Sequence, residues 1–188
     1  MPHRDLQRLL DQIDAVEADA RQLVSGLNDD QGNWQPGDGA GWSIAQCLDH
    51  LARINDFYLA PFLQATQAAY AGQRHLFTGV RPTWFGRKWA AMLEPPVMRR
   101  MRAPSPAQPQ ATRRLGDVLE SYVESHALYR EIVEIAPAVD VNRIRVANPF
   151  FKVIRVRVAT ALLVVPAHDR RHLWQARNVM RAPGFPAA

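Results

Sequence analysis

From Leu6 onward the apolar positions fall at Leu6, Leu9, Leu10, Ile13, Val16, Ala20, Leu23, Val24 and Leu27. Spacings of three and four residues mark one face of an amphipathic helix. Asn28, Asp29, Asp30 and Gly32 end it, because they favour turns over continued helix. After the loop NWQPGDGAGW a second helix opens at Ser43, where Ser43-Ile44-Ala45-Gln46 reads as a capping box. It continues through Leu48, Leu51, Ile54, Asn55 and Tyr58, and Pro61 is its first serious obstacle. A third stripe runs Leu115, Val118, Leu119, Tyr122, His126, Tyr129, Val133 and stops before Pro137.

The fourth segment carries two patterns. Asn148 followed by Pro149 reads as an N-cap with proline in the first turn, yet VIRVRVAT alternates like a strand, with Ile154, Val156 and Val158 on one side. From Ala161 the helical period wins, and Ala161, Val164, Val165, His168, His172, Gln175 and Val179 form one stripe. The expectation is helix throughout, with a kink near Pro166. Between the second and third helices, residues 71–110 form a proline-rich crossover with a short helix over Thr83–Leu93. Four amphipathic helices joined by one long crossover predict an all-α four-helix bundle, in a single domain over residues 1–188.

Composition changes this picture little. A chain of 188 residues, 47% hydrophobic and 22% charged, suffices for one domain with a sizeable core. The charged opening MPHRDLQRLL lacks the apolar run of a secretory signal. The longest apolar run, VATALLVVPA, is about half of what a bilayer crossing needs. The single cysteine, Cys47, rules out an internal disulfide framework, and a cytoplasmic location is expected. The pI near 10.0 raises nucleic acid as a partner. Of 23 basic residues, however, all but Lys88 and Lys152 are arginine, a bias that codon composition also produces. Residues 1–70 carry a net charge of −6 and residues 71–188 one of +11. That asymmetry fits internal or inter-subunit complementarity, including a homodimer, or attraction of an anionic substrate. Without a recognition motif, nucleic-acid binding is disfavoured.

The chemistry concentrates in VVPAHDRRHLWQARNV. His168 and His172 lie about 6 Å apart along a helix and nearly on one face, so both imidazoles can lean toward a common cation. Two histidines leave coordination incomplete. The natural third ligand is His50, which shares a face of the second helix with Cys47, Ile54 and Phe57. The competing reading is packed or surface histidines on a basic helix.

GWSIAQCLDHL at 41–51 and AHDRRHLWQARNV at 167–179 together resemble the DinB-like superfamily, and NWQPGDGAGWS, LEPPVMRRMRAP and NPF fit the pattern around them. The resemblance covers essentially the whole chain. It implies an up-down-down-up bundle with three histidines around a divalent metal, zinc or nickel foremost. Carried over, the ligands are His50, His168 and His172. It also implies small-molecule chemistry: transfer of low-molecular-weight thiols such as bacillithiol or mycothiol to an electrophile, or metal-dependent hydrolysis, or a non-enzymatic metal-binding stress-response role. HDRRH lacks the glutamate of HExxH, which disfavours peptidase activity.

Other positions carry two readings. Gln175 orients a ligand, lines the pocket or makes a buried structural hydrogen bond. His126 faces the metal cavity or is a hydrogen-bonded core histidine. Arg170, Arg171 and Arg53 form a solvated face or supply positive potential at the mouth of the site. Trp42 and Trp174 read as helix-end anchors, and Cys47 as a small core residue. Asp49 and Asp169 adjoin ligands in sequence but point about 100° away, so neither is an obvious base.

Overall fold

Helix α1 (Arg4–Val24) buries Leu6, Leu9, Ile13, Val16, Ala20 and Leu23, the stripe read from spacing. A one-turn helix α2 (Asp29–Asn33) follows, its capping box built by Asn28 and Gln31. The computed structural model describes residues 3–37, 39–72, 77–97, 103, 105–110 and 112–187. Residues 73–76, 98–102 and 104 of the crossover, and with them most of MRRMRAP, lie outside the described residues.

Helix α3 (Ile44–Gly72) opens on the expected box: the Gln46 amide donates to Ser43 Oγ at 3.1 Å, and the Ser43 amide donates to Gln46 Oε1 at 3.0 Å. Pro61 does not stop it. Leu59, Phe62 and Leu63 are buried on both sides of the proline, and packing overrides one missing backbone donor. The crossover contains α4 (Trp84–Leu93), capped by Thr83, and a single helical turn at Ser105–Ala107. Gly86 lets α4 approach the last long helix closely, since a Cβ there would sit 2.6 Å from Thr160 Oγ1.

The third stripe is divided into α5 (Leu115–Ser125) and α6 (Ala127–Ile135). At the break, Ser125 Oγ donates to the Tyr122 carbonyl at 2.6 Å, and the His126 amide bonds three residues back.

The fourth segment departs from the expectation of unbroken helix. Strands β1 (Arg145–Ala147) and β2 (Arg155–Arg157) form an antiparallel hairpin with Val146 opposite Val156, and α7 (Val158–Met180) starts only afterwards. The alternation around Val156 therefore prevails, because a partner strand exists to use it. Asn148 caps no helix; its Oδ1 accepts from the amides of Phe150 and Phe151 at 2.8 and 3.0 Å and shapes the hairpin turn. Pro166 lies inside α7 and removes the donor for the Leu162 carbonyl. Buried Tyr129 replaces it, donating its hydroxyl to that oxygen at 2.7 Å.

The apolar core has two large clusters, and a small third one, Ala90, Leu93, Val164 and Ala167, joins α4 to α7. Of the large clusters, one joins Leu6, Leu9 and Ile13 to Leu59, Phe62, Tyr129, Val156 and Leu162; the other joins Val16 and Ala20 to Leu48, Leu51, Val118, Tyr122, Leu173 and Ala176. Glu17, Asn55, Ser125, His126 and Asp169 are buried polar residues that fall where each helix passes from one cluster to the other. The helices α1, α3, α5 with α6, and α7 thus share a polar layer, and the chain is predominantly helical. Among the described residues no helix is long and apolar enough to cross a membrane.

Candidate metal centre

His50 lies on α3, one turn after buried Cys47; His168 and His172 lie on α7, and Asp169 between them turns inward. Packing of α3 against α7 brings the three rings together. Ring centroids are 4.5 Å apart for His50 and His172, 5.3 Å for His50 and His168, and 4.6 Å for His168 and His172. One nitrogen from each ring lies within 4.8 Å of the other two. His50 and His172 are buried and His168 is half-buried.

Two of the rings are oriented from behind. His50 Nδ1 is 2.6 Å from the Ala107 carbonyl, which can only accept, so Nδ1 carries the proton and Nε2 keeps its lone pair. His172 Nδ1 faces Gln175 Oε1 at 3.0 Å and donates to it, which again leaves Nε2 as an acceptor. His172 Nε2 stands 3.2 Å from His168 Nε2. Nitrogens bound about 2.0–2.1 Å from one cation are about 2.8–3.4 Å apart at octahedral to tetrahedral angles, so this pair fits a shared cation. A second group holding each ligand's far nitrogen is the usual support of a metal-binding histidine.

Electrostatics keeps these rings neutral. Burial pushes the His168 and His172 pKa values well down, and neighbouring imidazoles and the positive Arg171 push in the same direction. Burial lowers His50 too, against the raising effects of its bond to Ala107 and of the charges on Asp169 and Asp49. Neutral imidazoles are the form that binds metal. Arg171 is itself mostly buried, and its charge acts on all three rings.

The remaining sequence candidates divide between the histidine cluster and the helix packing around it. Gln175 meets His172 directly. His126 is fully buried and contacts Glu17 through Nδ1 at 3.1 Å and Asp169 through Nε2 at 3.0 Å, so it follows the core-histidine reading. Asp49 accepts from the Gln110 amide, Arg113 and Arg53 at 2.7–2.8 Å, which ties the end of the crossover to α3 next to Ala107. Arg53 is thereby paired. Arg170 grips Glu94 through two nitrogens at 2.6 and 2.9 Å and fastens α4 to α7. Cys47 is buried, and burial pushes its thiol pKa upward, far from a reactive thiolate.

Sequence reasoning missed two contributors. Trp42 packs on the site, its ring 4.8 Å from His50 and stacked 5.7 Å from His172; its place just before the Ser43 cap was the available signal. Ala107 acts only through its carbonyl, which any residue supplies, and no sequence pattern marks it.

Among the described residues, His50, His168 and His172 are the one group of three or more metal-ligating side chains so placed. No curated protein and no solved structure matches the chain. The family model of the DinB superfamily matches residues 12–176, a span that includes all three histidines, Trp42 and Gln175. With most of its length inside that match, and a three-histidine site on two packed helices, the chain belongs to the DinB superfamily.

Proposed function

We propose that the protein is a metal-dependent enzyme in which His50, His168 and His172 hold one divalent cation, zinc or nickel. The observation that carries this reading is the trio itself: three neutral imidazoles, two of them oriented through their far nitrogens, with Nε2 of His168 and His172 3.2 Å apart. The reaction we favour is transfer of a low-molecular-weight thiol to a small electrophile. A bound divalent cation supplies Lewis acidity, which lowers the pKa of a thiol or water brought beside it.

The chain's own groups set up the rest. Ala107 and Gln175 fix the ring orientations of His50 and His172. Trp42 covers two of the rings and limits access of water from its side. Arg171 places a positive charge close to the histidines, which favours an anionic sulfur over a neutral one. In the transfer the thiolate sulfur forms the new bond to the electrophilic carbon, and the leaving group departs with its bonding pair. The two carboxylates that adjoin the histidines in sequence are engaged elsewhere: Asp49 with Arg53, Arg113 and the Gln110 amide, and Asp169, through one oxygen, with His126. That favours a nucleophile activated by acidity at the site over zincin-type hydrolysis, in which a glutamate takes the proton. Hydrolysis of a small substrate by activated water is the second reading, since the same three ligands would serve it.

The test is a panel of small electrophiles assayed with and without added low-molecular-weight thiols, on zinc- and nickel-loaded protein. Thiol-dependent turnover that disappears in His172→Ala is the expected result. Turnover indifferent to thiol would move the reading to hydrolysis.

A further inference from the structure

The β1–β2 hairpin presents an arginine cluster that the metal centre does not use. Val146 and Val156 turn to the core, so the alternate residues Arg145, Ala147, Arg155 and Arg157 face outward. Arg145 stands directly opposite Arg157 in the register, a like-charge pair that disfavours the hairpin on its own. A surface concavity of about 580 Å³ is lined by both, together with Arg81, Arg143, Thr78, Asn142 and Asp140.

The cluster is held in shape by backbone and amide bonds. Asn142 Oδ1 accepts from the Arg81 amide at 2.7 Å, and Asn142 Nδ2 donates to the Gly79 carbonyl at 2.9 Å. These bonds fasten the chain around Gly79–Arg81 beside the start of the hairpin. Asp140 is the one carboxylate in the lining. Its two oxygens serve the Asn142 amide at 3.0 Å and Arg143 at 3.4 Å. Among the described residues, Arg81, Arg145 and Arg157 have no carboxylate partner within ion-pair distance. The concavity therefore gathers four cations around one acid, three of them on the hairpin and the segment that leads into it.

We propose that Arg81, Arg143, Arg145 and Arg157 form a cradle for a phosphoryl group. Guanidinium forks match phosphate oxygens with paired donors, and a dianion with three or four acceptor oxygens uses several forks, whereas a carboxylate has only two oxygens. Arg157 precedes His168 by eleven residues, roughly 16 Å along the helix direction, so the cradle is separate from the metal centre. A soluble phosphate ester and an anionic lipid headgroup share this chemistry. The lipid source is relevant because Phe151, Val153 and Ile154 stand exposed in the loop joining the two strands.

The experiment is calorimetric titration of the metal-loaded protein with pyrophosphate, beside co-sedimentation with phosphatidylglycerol and phosphatidylcholine vesicles. The variants are R145Q/R157Q and His50→Ala. Binding of one pyrophosphate per chain, or retention on phosphatidylglycerol vesicles alone, is expected, and the double variant weakens whichever is seen by at least about tenfold. The first outcome identifies a soluble ligand and the second a lipid surface. Both arginines lie on an outward strand face, so an unchanged helical circular dichroism signal shows the loss is not unfolding. Because His50→Ala leaves the cradle intact, it retains binding. The proposal is overturned if neither probe binds, if R145Q/R157Q binds as the parent does, or if binding disappears only in His50→Ala, which would place the anion at the metal centre.

Discussion

Two histidine environments meet at adjacent residues of α7, one with three neutral rings and one with a single imidazolium. His168 faces His50 and His172, with Arg171 close by; burial and these neighbours all work against protonation. Its neighbour Asp169 turns to the other side and, with Glu17, holds His126 between two carboxylates. Burial disfavours the imidazolium there too, but the hydrogen bonds and charges of Asp169 and Glu17 outweigh it and raise the His126 pKa to about 9. Burial alone therefore does not decide what a histidine does. The partners decide, and they sort one residue type into a metal-ready trio and a cationic strut. A ring with protons on both nitrogens has no lone pair for a metal, so only the first group suits a cation.

The strut is where substitution should affect folding most. His126 links α1 to α7 through Glu17 and Asp169, and Arg130 adds a second cation on Glu17 at 2.8 Å. Asp169→Asn leaves a buried imidazolium with one of its two carboxylates gone. Removing one partner of a buried pair costs about 3–5 kcal/mol, and urea unfolding of the variant measures it. A loss below about 1 kcal/mol would show that the strut carries little net charge interaction.

On the metal side the corresponding change is milder. Gln175→Ala frees Nδ1 of His172 without removing a ligand. Metal affinity should fall about 10–100-fold, read by competition with a chelating dye, while urea stability of the metal-free protein changes little. If stability falls as far as in Asp169→Asn, Gln175 is structural.

The smallest expected effect is on the dependence of stability on pH. His126 has a raised folded-state pKa, so its contribution is full below about 6.5 and is lost as pH rises through about 9. For Glu17, burial opposes ionisation, but hydrogen bonds from His126 and Arg130 and their charges outweigh it and hold the carboxyl at about 2. That contribution is full above about 4.5 and is lost as pH falls through about 2. In metal-free protein the lowered pKa values of His50, His168 and His172 make stability fall as pH drops below about 6.5, so it should peak near about pH 6.5 and decline on both sides, with His126→Gln flattening the alkaline limb. An alkaline limb that survives this substitution would assign it to another group.

The contrast also explains what the sequence made legible. The α1 stripe, the Ser43–Gln46 box and the pairing of His168 with His172 depend on spacings of three and four residues, and local geometry delivers them. His50 required the packing of α3 on α7, which the family resemblance supplied and spacing alone did not. The strut joins residues 109 and 43 positions apart in the chain, so no local pattern reports it, although His126 on an apolar stripe marked a buried histidine in need of partners. The hairpin was lost for a related reason. Its alternating residues become a strand only because 145–147 lies beside them, and that pairing is not a property of either segment alone.

The most direct test is metal content of the untagged protein beside His50→Ala and His126→Gln, each taken as folded material from gel filtration. About one metal per chain in the parent and in His126→Gln, with loss in His50→Ala, is the expected result. Metal retained by His50→Ala and lost from His126→Gln would contradict the assignment and move the cation to the strut.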